Sequence, residues 1–128
     1  MSHVFPIRVY YEDTDMGGIV YHANYLKYAE RARSDWVRGL GVDQRALKEA
    51  GLAFAVRRIE CDYLGPARLD DLLEVRSTTE QVTAARLVMQ QRVFRGDDLL
   101  FSARVTIVCI TDAGRPGRLP ANIRRLAP

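Results

Sequence analysis

A change of periodicity at Gly51 constrains the fold of this chain more than any other feature. One strand pattern and one long helical pattern precede Gly51, whereas four successive runs of alternating apolar and polar residues follow it. Long runs joined by short turns favour an antiparallel sheet, because consecutive strands then lie side by side. A single amphipathic helix is available to cover one face. The sequence therefore predicts an α+β fold, an antiparallel sheet of about five long strands wrapped around one long central helix.

The central helix is predicted from about Asn24 for roughly 15 residues. Asn24 can cap its start, and Gly39 or Gly41 can end it. A second, shorter helix is predicted over residues 44–50, with Asp43 as its cap. The apolar positions that recur at helical spacing in the long helix are Tyr25, Ala29, Ala32, Trp36 and Leu40.

The strand patterns alternate with period two. The first covers residues 4–11, and Gly96-Asp97-Asp98 is placed to turn between the last two strands. Later alternating positions are Phe54 and Val56, Ile59, Cys61 and Tyr63, Leu73 and Val75, Leu87 to Val93, and Leu99 to Cys109. Cys61 and Cys109 lie within strand patterns, which is typical of small buried apolar residues rather than of nucleophiles.

Length and composition bound the class of protein. The chain has 128 residues, 48% of them hydrophobic and 27% charged, which predicts one globular domain spanning residues 1–128. Its longest apolar runs are far shorter than the roughly 18 residues that a membrane span needs. The first residues lack a signal-peptide pattern, and two cysteines do not form a disulfide framework. We therefore expect a cytoplasmic protein without a membrane span.

The positive charge is concentrated at one end of the sequence. The net charge is +3, and residues 113–128 contain four arginines and no acidic residue. Because the rest of the chain is nearly neutral, a nucleic-acid-binding function is disfavoured. The tail is either a solvated terminus or part of a site for an anionic ligand, and the sequence leaves both possibilities open.

The chemistry is expected in the loop between the first strand and the long helix. Residues 13–24 contain two acids, two glycines and a histidine, and they end at the start of the helix. Unpaired N–H groups at a helix start stabilise an oxygen that becomes negative, and a nearby carboxylate can act as base or nucleophile. The combination suits acyl transfer, although most such loops are only turns. No Gly-x-Ser-x-Gly motif occurs.

The ordered motif is more specific than its composition. Residues 11–25 read Tyr-Glu-Asp-Thr-Asp-Met-Gly-Gly-Ile-Val-Tyr-His-Ala-Asn-Tyr, and residues 30–33 read Glu-Arg-Ala-Arg. This string closely resembles the signature of small hotdog-fold acyl-CoA thioesterases, in particular the bacterial branch encoded beside the Tol-Pal envelope system and related to 4-hydroxybenzoyl-CoA thioesterase. Residues 63–71 resemble that branch more weakly. The resemblance covers nearly the whole chain and implies the hotdog fold and hydrolysis of an acyl-CoA to free acid and CoA.

The resemblance also implies roles for individual residues. The family's essential aspartate matches Asp15, which attacks the thioester or activates water. His22 matches a catalytic histidine, with its backbone N–H at the oxyanion position. The matching residues expected to bind substrate are Tyr11, Gly18, Tyr21 and Tyr25. Asp13 is interpreted as a turn former rather than as a catalytic residue. Glu30 either faces back towards the site or forms an exposed pair with Arg33, and the pair is the favoured interpretation.

The expected partners follow from the same resemblance. The substrate is an acyl-CoA or an acyl group on acyl carrier protein, no metal or other cofactor is implied, and the working unit is a homodimer or homotetramer with active sites at the interface. Coenzyme A phosphates call for an arginine, with Arg57, Arg58, Arg68, Arg92 and the tail arginines as candidates. The alternatives are a hotdog enoyl-CoA hydratase and a non-hydrolytic binding protein for acyl-CoA or acyl carrier protein.

Overall fold

Five long strands and one two-residue strand form an antiparallel sheet in the computed structural model, which describes residues 2–127. The strand order is β1-β3-β4-β5-β2, with β6 beside β5. The strands are Ser2–Arg8 (β1), Leu52–Tyr63 (β2), Leu72–Val82 (β3), Arg86–Arg95 (β4), Asp98–Thr111 (β5) and Pro116–Gly117 (β6). The helices are His22–Gly39 (α1), Gln44–Glu49 (α2) and Ala121–Arg124 (α3). The predicted α+β architecture is confirmed.

The hairpin between β4 and β5 forms where the glycine turn was predicted. Arg95 pairs with Asp98 across a turn whose first residue, Gly96, has a φ of 60°. A left-handed φ at this position matches the twist of the two strands, and glycine adopts it without a Cβ clash. The hairpin thereby places the apolar faces of β4 and β5 in the core.

Helix α1 packs on the sheet through small residues and one buried polar network. Ala29 and Ala32 are buried, so the helix backbone approaches the sheet closely. Gln91 of β4 is fully buried and donates hydrogen bonds to the Ala29 carbonyl (2.9 Å) and to Ser77 Oγ (3.0 Å). Its Oε1 accepts from the Arg33 guanidinium at 2.9 Å. This network fixes the position of α1 along the sheet, because a buried amide must keep its partners.

The first strand and α1 differ from the predicted boundaries. The strand ends at Arg8 rather than at residue 11, because the Asp13 carboxylate accepts a hydrogen bond from the Tyr10 amide and closes a short 3-10 turn over residues 11–13. Helix α1 begins at His22, and Tyr21 is its N-cap. The prediction that Asn24 caps the helix is therefore wrong: its side-chain amide donates to the Asp13 carbonyl at 2.9 Å.

The predicted short helix is confirmed, and the tail contains two short elements that were not predicted. Asp43 caps α2 by accepting hydrogen bonds from the Arg45 and Ala46 amides. In the tail, the periodicity indicated neither β6 nor α3, yet Leu119 and Ile123 are buried. Among residues 2–127, no helix has the length and apolar character needed to span a membrane.

Candidate active site

The loop that follows β1 folds into a tight hairpin around Asp15. The Asp15 amide donates to the Ile19 carbonyl (2.9 Å), and the Gly18 amide donates to the Asp15 carbonyl (3.0 Å). Gly18 has a φ of 77°, which a residue with a Cβ adopts only with strain. The Gly17 amide donates to Asp15 Oδ1 at 2.8 Å, and this bond orients the carboxylate.

Asp13 and Asn24 hold the loop against the helix start. The Asp13 carbonyl accepts from the Tyr21 amide and from the Asn24 side chain, both at 2.9 Å. The Asp13 carboxylate is buried and accepts from the Tyr10 amide. These contacts agree with the interpretation of Asp13 as a turn former, since both its carbonyl and its carboxylate bind the local backbone.

Helix α1 begins with free backbone donors. No side chain caps its N-terminus, and within residues 2–127 the amides of His22 and Ala23 donate no hydrogen bond. A helix start carries a partial positive charge together with these unpaired N–H groups. The local chemistry therefore suits an oxygen that acquires negative charge.

Segment 63–71, which begins at the last residue of β2, supplies the other side of the site. The Val20 amide donates to the Ala67 carbonyl at 2.8 Å, and Ile19 forms a bridge with Arg68. The Tyr63 hydroxyl donates to the His22 carbonyl at 2.9 Å, so the end of β2 is tied to the first residue of α1. The two halves of the site thus come from sequence regions about forty residues apart.

Aromatic rings form the inner wall. The Tyr25 ring stacks on Phe101 with 5.1 Å between centroids, and Tyr63 packs against both rings. Tyr25 is buried, and its hydroxyl oxygen accepts a hydrogen bond from the Ala67 amide at 3.0 Å. Burial raises the pKa of Tyr25 and of Tyr63 above the ordinary tyrosine value, because the charged form of the hydroxyl loses hydration in this wall.

A cleft of about 480 Å³ opens between the two halves. Of the residues predicted for the site, Asp15, His22 and Tyr25 line it. The cleft is also lined by Ile19, Val20, Tyr63, Leu64, Gly65 and Pro66. None of these six was predicted to line the site, and the place of the last four in the cleft depends on contacts that local periodicity does not encode.

The other predicted site residues lie outside the cleft wall. Tyr11 is on the 3-10 turn and is 84% exposed. The ring of Tyr21 lies beside that of His22, with 4.5 Å between centroids. Gly18 forms the hairpin turn that places Asp15. The structure thus gathers three of the six residues in the cleft and places the other three around its loop.

The Glu30–Arg33 pair predicted on the helix surface is wrong. Within residues 2–127, Arg33 has no acidic oxygen within 4.0 Å and donates instead to Gln91. The predicted pair relied on helical spacing alone, whereas Arg33 lies on the side of α1 that meets the sheet. Glu30 is exposed and does not line the cleft.

Two arginines lie beside the cleft in different environments. Arg95 is paired with Asp71 (2.9 Å) and donates to the Pro66 carbonyl (3.2 Å). Burial by itself would raise the pKa of Asp71, but hydrogen bonds from the Arg68 amide and Arg95, together with their charges, lower it. Among the described residues, the Arg68 guanidinium has no ion pair.

Comparisons with known proteins agree with this geometry. The family model described as the thioesterase superfamily matches residues 17–102. The acyl-CoA thioesterase YbgC of Haemophilus influenzae is 43% identical over 94% of this chain and 90% of its own length. The acyl-CoA thioester hydrolase YbgC of Escherichia coli is 42% identical over 93% of this chain and 90% of its own. A solved structure of a probable thioesterase from Bartonella henselae has a TM-score of 0.89 and 38% identity, covering 94% of this chain and all of that one.

Proposed function

Because the chain belongs to the thioesterase superfamily, we propose that it hydrolyses the thioester of an acyl-CoA to a free acid and CoA. The observation that carries this proposal is the convergence of the Asp15 carboxylate and the start of α1 on one cleft. A thioester carbonyl is electrophilic and its thiolate leaves readily, so a carboxylate and an oxyanion site can be sufficient.

Asp15 is the proposed catalytic carboxylate. Gly17 holds Oδ1, which leaves Oδ2 without a hydrogen bond from residues 2–127. This oxygen can attack the thioester carbonyl and expel the CoA thiolate, giving a mixed anhydride that water then opens to the free acid and the regenerated carboxylate. Alternatively, it can take a proton from a water molecule that attacks the carbonyl and expels the same thiolate. The two routes differ in isotope labelling: after one turnover in ¹⁸O-water, label in the Asp15 carboxylate indicates the anhydride.

The start of α1 is the proposed oxyanion site. The His22 amide is free among the described residues, and the helix dipole adds to its field. One well-placed donor lowers the barrier by roughly 2.7–4 kcal/mol. His22 lines the same cleft, and its imidazole is proposed to polarise the thioester or assist the departing thiolate. Tyr63 holds the first residue of α1 in position, because its hydroxyl donates a hydrogen bond to the His22 carbonyl.

The predicted binding residues fit different parts of a substrate. Tyr25 and its stacked neighbours offer an apolar wall to the acyl group. Tyr21 and Tyr11 are exposed beside the loop, where they can contact the carrier arm. Gly18 contributes through backbone shape, because its turn brings Asp15 to the cleft.

Arg68 is the arginine best placed for the phosphates of CoA. Its backbone bridges to Ile19 in the cleft wall, and its guanidinium has no ion pair among residues 2–127. Arg58, another candidate, already contacts Glu60 at 3.4 Å. We therefore propose CoA as the carrier recognised through Arg68, with acyl carrier protein as the alternative. Loss of activity on acyl-CoA but not on the acyl-pantetheine fragment in Arg68→Gln would support this assignment.

We also propose that the working unit is a homodimer joined through β2. In the sheet described here, β2 pairs only with β5, so its other edge is free over twelve residues. Unpaired edges of this length are normally covered in native proteins. The cleft lies at the Tyr63 end of this edge, which is consistent with active sites at the interface. Light scattering should give twice the chain mass, or four times if dimers pair.

Location and cofactor use are further parts of the proposal. The thiols of Cys61 and Cys109 are free, as is usual in the reducing cytoplasm, where we place the enzyme. The chemistry above needs no cofactor, and residues 2–127 contain no group of three or more His, Cys, Asp or Glu side chains suited to a metal. Treatment with a chelator should therefore leave thiol release unchanged.

Thiol release from a panel of short, long, branched and aromatic acyl-CoAs tests the central proposal. Asp15→Asn should lose several orders of magnitude in turnover while it stays folded. Glu12→Gln is the matched control, because Glu12 is an exposed acid three residues away that does not line the cleft. Full activity in Asp15→Asn would refute the assignment. Binding without hydrolysis would favour the non-hydrolytic protein, and hydration of an enoyl-CoA would favour the hydratase.

A further inference from the structure

The arginine-rich tail folds onto the end of the sheet that lies opposite the cleft. Strand β6 pairs with residues near the end of β5, and the Leu119 amide donates to the Ala84 carbonyl (2.9 Å) in the turn between β3 and β4. The Asn122 side chain donates to the Leu40 carbonyl at 2.6 Å, just beyond the end of α1. The cleft lies at the start of α1, and the 18 residues of this helix span about 27 Å. The tail is therefore an ordered surface at the far end of α1.

The positive charge of this surface is not neutralised by the protein. Within residues 2–127, no tail arginine has an acidic oxygen within 4.0 Å. Arg115 and Arg118 are exposed, and their side chains donate no hydrogen bond to the described residues. Arg124 and Arg125 donate to neutral oxygens of the tail itself. Arg86, at the start of β4 beside the tail, is also exposed and lacks an ion pair in the same part of the chain. These cations can therefore bind an external anion.

An open depression of about 630 Å³ beside the tail adds two further arginines. It lies between the end of α1 and the start of α2, and Arg38 and Arg45 line it. Neither has an acidic oxygen within 4.0 Å among the residues that the structure describes. Asp43 also lines the depression, but its carboxylate accepts hydrogen bonds from two amides of α2. Gly41 in the same wall lies so close to Asn122 of the tail that a Cβ would be 3.3 Å from Nδ2. The depression, Arg86 and the tail thus form one surface, the basic end.

The residue types of the basic end indicate which anion it binds. Guanidinium groups bind phosphate through paired N–H groups. The segments that form this surface, residues 38–48, 83–86 and 113–127, contain no aromatic residue. Single-stranded nucleic acids are bound by stacking on aromatic side chains, and the cores of protein interfaces are enriched in them. Electrostatic docking on an anionic bilayer needs neither feature. The composition therefore favours phosphate groups that are spread over a surface.

We propose that the basic end docks on the surface of an anionic phospholipid bilayer, where Arg115, Arg118 and the arginines of the depression bind lipid phosphates. Near such a surface each arginine or lysine contributes about fivefold to binding. Because salt at about 0.1 M screens charges beyond about 10 Å, the association is reversible and sensitive to ionic strength. The cleft of the same protomer is at the other end of α1 and stays open. The docking does not depend on the chemistry of the cleft.

Sedimentation with lipid vesicles tests the docking. One set of vesicles contains phosphatidylcholine alone, and the other contains about one third phosphatidylglycerol. We expect the full-length protein to sediment with the anionic vesicles in about 0.1 M salt and to be released in about 1 M salt, where the screening length falls to about 3 Å. Equal binding to both vesicles, or no binding to the anionic ones at about 1 mM lipid, would overturn the proposal. Asp15→Asn should bind like the wild type, so failure of the thioesterase proposal would leave this result intact.

Two competing anions separate a bilayer from other sources of phosphate. Free CoA carries phosphates on a small molecule, and an oligouridylate carries them on a nucleic-acid chain. At a phosphate concentration equal to that of the vesicle surface, neither should release the protein from anionic vesicles. Release by CoA would assign the basic end to the substrate site, and release by the oligouridylate would assign it to a nucleic acid. Either result would overturn the proposal.

Two double variants with the same loss of charge give the matched comparison. Arg115→Gln combined with Arg118→Gln should weaken binding to anionic vesicles by about 25-fold, and both side chains are exposed, so the variant should keep its melting temperature. Lys27→Gln combined with Arg92→Gln removes two exposed charges outside the basic end and should weaken binding by less than about twofold. Equal losses in the two double variants would show that net charge, rather than this surface, controls binding, and would refute the proposal.

Discussion

Replacing Asp71 by asparagine removes the charge that holds segment 63–71 in place. The Asp71 carboxylate accepts from the Arg68 amide (2.8 Å) and from the Arg95 guanidinium (2.9 Å). Hydrogen bonds to charged groups contribute about 1.5–3 kcal/mol each. Asparagine can still accept one bond, and both partners are partly solvated, so we expect a loss of about 2 kcal/mol. For a chain of this length, that corresponds to a fall of about 7 °C in melting temperature.

The loss of stability in Asp71→Asn should be present at neutral pH and should disappear in acid. The pKa of Asp71 is lower in the folded protein than its ordinary value, so folding favours the charged form. The stabilisation is therefore complete above the ordinary carboxyl pKa of about 4, and it is lost as the pH falls through the lower folded-state pKa. Urea denaturation from pH 7 downwards should show the wild type and Asp71→Asn differing at neutral pH and converging in acid.

The neighbouring acid supplies the control for this experiment. Asp70 is largely exposed and has a φ of 67°, a conformation that asparagine also tolerates. Asp70→Asn should therefore change stability by less than about 0.5 kcal/mol at any pH. A difference between wild type and Asp71→Asn that stayed constant into strong acid would refute the electrostatic explanation, because the charge would then contribute nothing to it.

Three further substitutions test the framework of the site. Gly18→Ala should destabilise the fold by about 1–2 kcal/mol because of its left-handed φ, whereas Gly39→Ala at the end of α1 should be neutral or slightly stabilising in the same denaturation assay. Gln91→Leu should lower the free energy of unfolding by about 3 kcal/mol, because the buried Ala29 carbonyl and Ser77 Oγ would lose the hydrogen bonds that Gln91 donates. A loss of stability no larger than that of Gln90→Leu would contradict this reasoning. Tyr63→Phe should lower kcat/KM about two- to tenfold with little change in melting temperature, and an unchanged kcat/KM would show that its bond to His22 does not position the oxyanion site.

Periodicity was sufficient for the elements that carry long amphipathic faces. The α1 face through Ala29 and Ala32, the four strands after Gly51 and the turn at Gly96 lie where the sequence predicts them. Each of these depends on neighbouring residues and on the contrast between a buried and a solvated side. The loop around Asp15 was also located correctly, since its position between β1 and α1 follows from the element order.

Long-range packing decided the features that the sequence did not predict. Helical spacing paired Arg33 with Glu30, but tertiary packing turns Arg33 towards Gln91 on β4. The tail was interpreted as either a solvated terminus or part of a site for an anionic ligand, whereas Ile123 packs into the core. Asn24 has a good capping side chain, yet the Asp13 carbonyl provides it with a different partner. In each case the partner is distant in sequence or lies in an adjacent turn that periodicity does not describe.

The hydrogen bonds that the Asp71 carboxylate accepts connect the stability of the protein to its activity, because they hold segment 63–71 in place. The segment contacts both the loop, through Ala67 and Val20, and the start of α1, through Tyr63. Loosening it should shift the Asp15 carboxylate relative to the helix amides, and misplacement by about 1 Å can cost about a hundredfold in rate. We therefore expect Asp71→Asn to lower kcat, measured well below its melting temperature, while Gln91→Leu lowers stability at least as much with a smaller effect on kcat. Equal losses of kcat in the two variants would show that global stability, rather than this segment, controls the geometry of the site.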